Sequence, residues 1–122
     1  MQLQRIHHVS LIVADTSRAL GFYRDLLGLQ VDELRPDLGY PGAWLQLGEQ
    51  QIHLLELPNP DPVAGRPAHG GRDRHVAFVV NELAALADRL EAAGFAVSRS
   101  KSGRAAFFCR DLDGNALEFV GA

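Results

Sequence analysis

The residues of this chain whose types can do chemistry are five histidines, His7, His8, His53, His69 and His75, and the carboxylate Glu118. Imidazoles and a carboxylate are N and O donors. Three imidazoles with one carboxylate, His8, His53, His75 and Glu118, make a site for divalent iron, nickel, zinc, cobalt or manganese. Their separations are not those of a local zinc finger, so only folded sheets can gather them, in a common cleft reached from four strands. Taken singly, each also has an ordinary role open. His8 can hydrogen-bond at a strand edge, His53 can sit exposed in a β ladder, His75 can satisfy a buried polar contact and Glu118 can pair with an arginine. His7 directly precedes His8 and by strand alternation should face the other way. His69 lies in a turn-rich stretch where solvent exposure is the simpler expectation.

The elements that must position these residues read as the same plan twice. IHHVSLIVAD reads as a strand, and TSRALGFYRDLLG carries Ala19, Tyr23, Leu26 and Leu27 at helical spacing. Asp15 is suited to cap that helix and Gly28 to end it in the left-handed region. LQVDEL, AWLQL and QIHLLEL follow as strands, with a tight turn at Gly48. RHVAFVV then opens a second series. NELAALADRLEAAG is a helix with Leu83, Leu86 and Leu90 as its buried stripe, Asn81 as cap and Gly94 as terminator; FAVSRS, RAAFFCR and NALEFVG are its strands. HHVSLIVAD aligns with RHVAFVVNE, Gly28 with Gly94 and QIHL with ALEF, so His8 falls opposite His75 and His53 opposite Glu118. The expected fold class is α+β, one domain over residues 1–122 with βαβββ modules at 1–57 and 74–122 and a linker at 58–73. Each module is too small to be very stable unless it pairs with another.

Composition narrows the function. A hydrophobic fraction of 47% and a formal charge of −3 describe a globular chain without the basic excess of a general nucleic-acid binder. Cys109 is the one cysteine, which rules out an intramolecular disulfide and fits the cytoplasm; no apolar run approaches a membrane span or a signal peptide. There is no Walker loop, nucleotide-binding glycine fingerprint or evident serine triad. DLDGN reads as a β-turn at Gly114, too short for a calcium loop. Among Arg24, Arg35, Arg72, Arg74, Lys101, Arg104 and Arg110 an anion contact is open, although most read as solvated. Tyr23, Trp44, Phe78, Phe107 and Phe108 can wall a pocket or simply pack the core; Trp44, on a strand between polar turns, is the foremost pocket candidate, with Phe107 next.

HHVSLIVADTSRALGFYRDLLGL, LQLGEQQIHLLE, DRHVAF and FFCRDLDGNALEFVG together resemble the vicinal-oxygen-chelate superfamily of glyoxalases, bleomycin-binding proteins and extradiol dioxygenases. The resemblance implies paired βαβββ modules forming an incomplete barrel around a cleft, and commonly a homodimer. It implies that His8, His75 and Glu118 are metal ligands, with His53 at a position that bacterial glyoxalase I fills with glutamate. By the same likeness, the chain is a glyoxalase-like metal enzyme that moves a proton on a small substrate with vicinal oxygens, through an enediolate, with Glu118 as base. The alternatives are an aromatic-antibiotic-binding protein without chemistry, or a small dioxygenase, isomerase or thiol transferase. The short C-terminus lacks the basic tail associated with fosfomycin-resistance enzymes.

Overall fold

The structure, a computed structural model, describes residues 1–122. The chain is α+β and divides into two compact units, Met1–Pro60 and Asp61–Ala122. No helix is long and apolar enough to cross a membrane.

The first unit runs β1 (His8–Val13), α1 (Thr16–Leu20), a π-helical turn (Gly21–Leu26), β2 (Gln30–Val31), β3 (Gly42–Leu47) and β4 (Gln50–Glu56). These strands make one open mixed sheet in the order β1-β4-β3-β2, with β1 parallel to β4. Alternation divides its side chains cleanly. Val13, Ala43, Leu45, Ile52 and Leu54 are buried, as are Ala19, Phe22 and Tyr23 of the helical segment, while His8, Trp44 and His53 occupy the opposite face. Asp15 caps α1 as expected, its Oδ1 accepting from the Arg18 N–H at 2.8 Å. The helix does not continue as an α-helix: the Leu27 N–H reaches back to the Phe22 carbonyl at 2.9 Å, widening the last turn. Gly28 then leaves it at φ +78°, the left-handed region that glycine enters without strain. The strand expected over LQVDEL shrinks to two residues because Asp32 turns the chain, its Oδ1 accepting from the Leu34 N–H at 2.9 Å.

The second unit repeats the order as β5 (His75–Val80), α2 (Leu83–Ala92), β6 (Ser98–Arg99), β7 (Ala106–Arg110) and β8 (Ala116–Gly121). Its open sheet is β5-β8-β7-β6, again with its first and last strands parallel. One face is an apolar core of Phe78, Phe107, Cys109, Leu117 and Phe119 with Ala87 and Leu90 of α2. Phe119 stacks on both Phe78 and Phe107, at centroid distances of 5.5 and 5.0 Å. Burial pushes the Cys109 thiol up to about 11, which keeps it a packing residue. Three expectations change. Glu82, not Asn81, is the residue at the head of α2, and it offers no side-chain cap; the first α2 bond runs from the Leu86 N–H to the Glu82 carbonyl. Ala87 and Leu90 are fully buried, whereas Leu83 and Leu86 are only half-buried. FAVSRS yields only Ser98–Arg99 as strand, since Ser100 and Ser102 hydrogen-bond to each other across the next turn. DLDGN is the expected turn: Asp111 Oδ1 accepts from the Asp113 and Asn115 N–H groups, and Gly114 has φ +81°.

Candidate metal and substrate-binding residues

His75 opens β5 and Glu118 lies within β8. The register His75 with Ala116 and Ala77 with Glu118 puts both side chains on the face away from α2. Glu118 is 3% exposed, and its Oε1 lies 3.2 Å from His75 Nε2. Arg104 donates to the other carboxylate oxygen, so the ordinary arginine-partner reading of Glu118 also holds. His75 Nδ1 is 2.9 Å from the Asp73 carbonyl, an acceptor, which fixes Nδ1 as the protonated nitrogen. Asp73 is itself clamped. Arg66 donates to both its oxygens at 2.7 and 2.9 Å, and Arg110 adds a bond at 2.8 Å while also holding the Gly114 and Pro67 carbonyls. These arginine hydrogen bonds hold the Asp73 carboxyl well below the usual carboxylate range.

The aromatic residue on the Glu118 face is Phe108, its cross-strand partner, and not Phe107. Phe107 pairs with Phe119, is 0% exposed and belongs to the core, so its expected pocket role passes to its neighbour by strand alternation. The His75 ring meets Phe108 edge-on at 5.3 Å. His69 is not solvated as expected: its Nδ1 accepts from the Gly71 N–H, its Nε2 donates to the Arg99 carbonyl, and its ring lies 4.8 Å from Phe108.

In the first unit, His8 and His53 share a face and stack at 3.9 Å, with 14° between their planes. Trp44, paired with His53 across β3 and β4, continues the stack at 4.4 Å and 7°. A hydrogen-bond chain fixes His53. Gln51 gives its amide protons to Asp32 Oδ2 at 2.8 Å and Gln46 Oε1 at 2.9 Å, so its own oxygen must accept from His53 Nε2, at 2.8 Å. His53 Nδ1 is left as the electron-pair donor. Burial above all, then the neighbouring His8, His7 and Arg35, lowers the His53 pKa to about 4 against a weaker pull from Asp32. His7 does not face away from His8: it precedes β1, where alternation has not begun, and the two Nδ1 atoms lie 2.9 Å apart.

The donor chemistry suits a divalent ion. With its proton on Nδ1, His75 presents the Nε2 electron pair to a carboxylate oxygen 3.2 Å away, a repulsive facing that either a second proton or a cation relieves. Metal–ligand bonds of about 2.0–2.2 Å put two ligands of one ion at about this separation. Neutral His53 is also a competent donor, although its ring, parallel to His8, must turn for both to address one ion in plane. The four residues singled out by sequence are therefore brought together two and two, His8 with His53 and His75 with Glu118; no three His, Cys, Asp or Glu side chains form a metal-like group. Sequence reasoning missed Asp73 and Gln51, whereas Arg104 stood among the cations open to an anion contact and Phe108 among the possible pocket walls. Of the two missed, only Gln51 carried a signal, two residues before His53 on one strand.

The sequence profile of the Glyoxalase/Bleomycin resistance protein/Dioxygenase superfamily matches residues 5–119. The chain belongs to this superfamily. It is 30% identical over 95 residues to "Glyoxylase I 4" of Arabidopsis thaliana, covering 77% of this chain and 54% of that protein. It is 34% identical over 89 residues to the mitochondrial methylmalonyl-CoA epimerase of Mus musculus, covering 69% and 50%. The chain thus spans about half the length of these two curated relatives. Among solved structures, a putative glyoxalase family protein from Bacillus anthracis superposes with a TM-score of 0.81 at 25% identity, over 99% of this chain and 97% of that one. The glyoxalase superfamily match thus takes in both units, and with them the His8–His53 and the His75–Glu118 pair.

Proposed function

We propose that this superfamily member is a divalent-metal enzyme of glyoxalase type that moves a proton at a carbon beside a carbonyl of a small substrate with vicinal oxygens. The observation that carries this reading is the His75–Glu118 pair, a neutral-nitrogen and carboxylate donor set on one sheet face, with the outer ring nitrogen already tied to a carbonyl. His75 and Glu118 are the residues that would hold the ion. A divalent ion bound there would supply Lewis acidity toward the substrate carbonyl.

Glu118 is the base. A carboxylate taking a proton from carbon needs a free oxygen, so Oε2 must leave Arg104, whose side chain is 57% exposed and has room to swing away. Released, Arg104 keeps its positive charge near the developing negative charge on the substrate oxygens. Phe108 walls this face and limits water there. The two relatives, one named a glyoxylase and the other an epimerase, both agree with proton movement next to a carbonyl. Likeness to the superfamily also supports a homodimer.

The test is anaerobic purification with elemental analysis, followed by turnover of the glutathione–methylglyoxal hemithioacetal and of methylmalonyl-CoA. Bound divalent metal, with turnover lost in Glu118→Gln, is expected. Metal-free protein that no added divalent ion activates on either substrate sinks the proposal. One observation favours a second reading. The His8–His53–Trp44 stack is a flat aromatic platform, and a protein that only sequesters an aromatic ligand would bind it there unchanged after Glu118→Gln.

A further inference from the structure

The basic side chains sort by partner. Arg24 pairs with Asp25, Arg66 and Arg110 with Asp73, Arg74 with Asp61 and Arg104 with Glu118. Arg35 is half-buried and pairs with no carboxylate. Its Nη2 donates to the Tyr40 carbonyl at 2.9 Å, and its guanidinium carbon lies 5.4 Å from the centre of the Tyr40 ring. Its Nε is buried and has no hydrogen-bond partner. The guanidinium thus carries a charge that no carboxylate balances, and an anion reaching the part of it that stays open to solvent would balance it.

The position of this group is set by Gly42. A Cβ there would come within 3.0 Å of Arg35 Nη2, so the missing side chain makes the room in which the guanidinium lies. Gly42 opens β3 two residues before Trp44, and Arg35 lies close enough to His53 for its charge to help lower the pKa of that imidazole. The acids nearby are otherwise engaged. Asp32 accepts from the Leu34 N–H and from Gln51 Nε2, and Asp37 accepts from the Gly39 N–H. This part of the first unit therefore holds an aromatic platform, an uncharged imidazole and one uncompensated planar cation.

We propose that Arg35 is a substrate-binding residue that receives a carboxylate group of the substrate, seating the ligand against Trp44 and His53. The guanidinium is planar and presents its donors as a fork, which matches a carboxylate better than a compact ammonium would. This narrows the substrate class to small vicinal-oxygen compounds carrying a carboxylate. It rests on the reading of the Trp44–His53 face as a substrate site, but not on metal binding at Glu118.

Trp44 is the one tryptophan of the chain, so its fluorescence reports the site directly. Metal-free protein is titrated with malonate, with its neutral dimethyl ester and with inorganic phosphate. The expected result is a saturable change with malonate, none with the ester, and weaker binding of phosphate. Arg35→Gln should raise the malonate Kd by about tenfold or more, and Arg35→Lys, which keeps charge and loses the fork, by about three- to fivefold. Should Arg35→Gln not fold, as judged by its thermal melt, the Lys variant carries the comparison. Malonate binding unchanged in the folded Arg35 variant, or phosphate bound more tightly than malonate, overturns the assignment. Repeating the titration in Glu118→Gln separates the two proposals: malonate affinity is retained there, whereas metal retained there defeats only the metal reading.

Discussion

His75 and Glu118 face each other across 3.2 Å on adjacent parallel strands, and Arg104 occupies the carboxylate oxygen that His75 leaves free. The pair is thus a donor set whose carboxylate is shared with a competing cation. Removing that cation should favour a metal. Arg104→Ala is expected to tighten divalent-ion binding about three- to tenfold and to destabilise the metal-free protein by only about 1 kcal/mol, because the arginine is largely exposed. Glu118→Gln should weaken binding about tenfold or more. Calorimetric titration with zinc or manganese checks both, and equal affinities in all three proteins would falsify the shared-carboxylate picture.

Trp44 lies against His53, so the indole reads the charge of the imidazole. A protonated imidazole quenches a stacked indole, and the quenching midpoint should fall near 4 instead of the unperturbed 6.5. The linkage sign follows. With a lowered folded-state pKa, the unfolded chain binds the proton first, so the neutral ring's contribution is complete above 6.5 and is lost as the pH falls toward 4. Urea unfolding at several pH values should show this loss in the native protein and its absence in His53→Phe. A quenching midpoint near 6.5 contradicts the buried, neutral assignment.

Asp73 acts in the opposite chemical sense. Its carboxyl is held low by Arg66 and Arg110, so its stabilising effect is full above the ordinary value of 3.8 and fades as the pH drops below it. Asp73→Asn should lower Tm at neutral pH, and the gap from the native protein should close on acidification. Because Asp73 also carries the carbonyl that holds His75 Nδ1, the variant should loosen the His75 tautomer, visible in its ring ¹⁵N shifts. A gap in Tm that does not depend on pH argues against the arginine clamp.

Phe107 and Gly42 test the packing of the two sheets. Phe107→Ala opens a cavity in a fully buried aromatic cluster and should cost about 3–5 kcal/mol in denaturant unfolding. At Gly42 a methyl group would strike the Leu54 carbonyl oxygen of β4, a backbone atom that cannot turn aside. Gly42→Ala should therefore destabilise by about 1–3 kcal/mol and also displace Arg35. A Gly42→Ala protein of native stability means that β3 and β4 are not packed as described.

Much of this architecture was legible along the chain. Asp15, Gly28, Gly48, Gly94 and Gly114 mark caps and turns because their effects are local, and alternating apolar residues mark the long strands because side chains of a strand divide between two faces. The short strands β2 and β6 were overread, since Asp32 and Ser100 hydrogen-bond to turns that apolar periodicity does not register. The π turn after Leu20 was invisible for a similar reason: its residues have ordinary helical composition, and only the bond from Leu27 to Phe22 reveals it.

The sequence by itself determined that the chain repeats a βαβββ plan, and that His8 matches His75 while His53 matches Glu118. These are consequences of residue order and period. Tertiary structure alone decided the pairings: that Glu118 faces His75 and Arg104, that Phe108 and not Phe107 shares its face, and that Arg35 comes to lie beside Gly42 without an anionic partner. The pairing of Glu118 with His75 and the face taken by Phe108 depend on the register between strands distant in sequence, where a slip of one residue exchanges the two faces of the sheet, and the two arginines are placed by loops that carry no periodic signal.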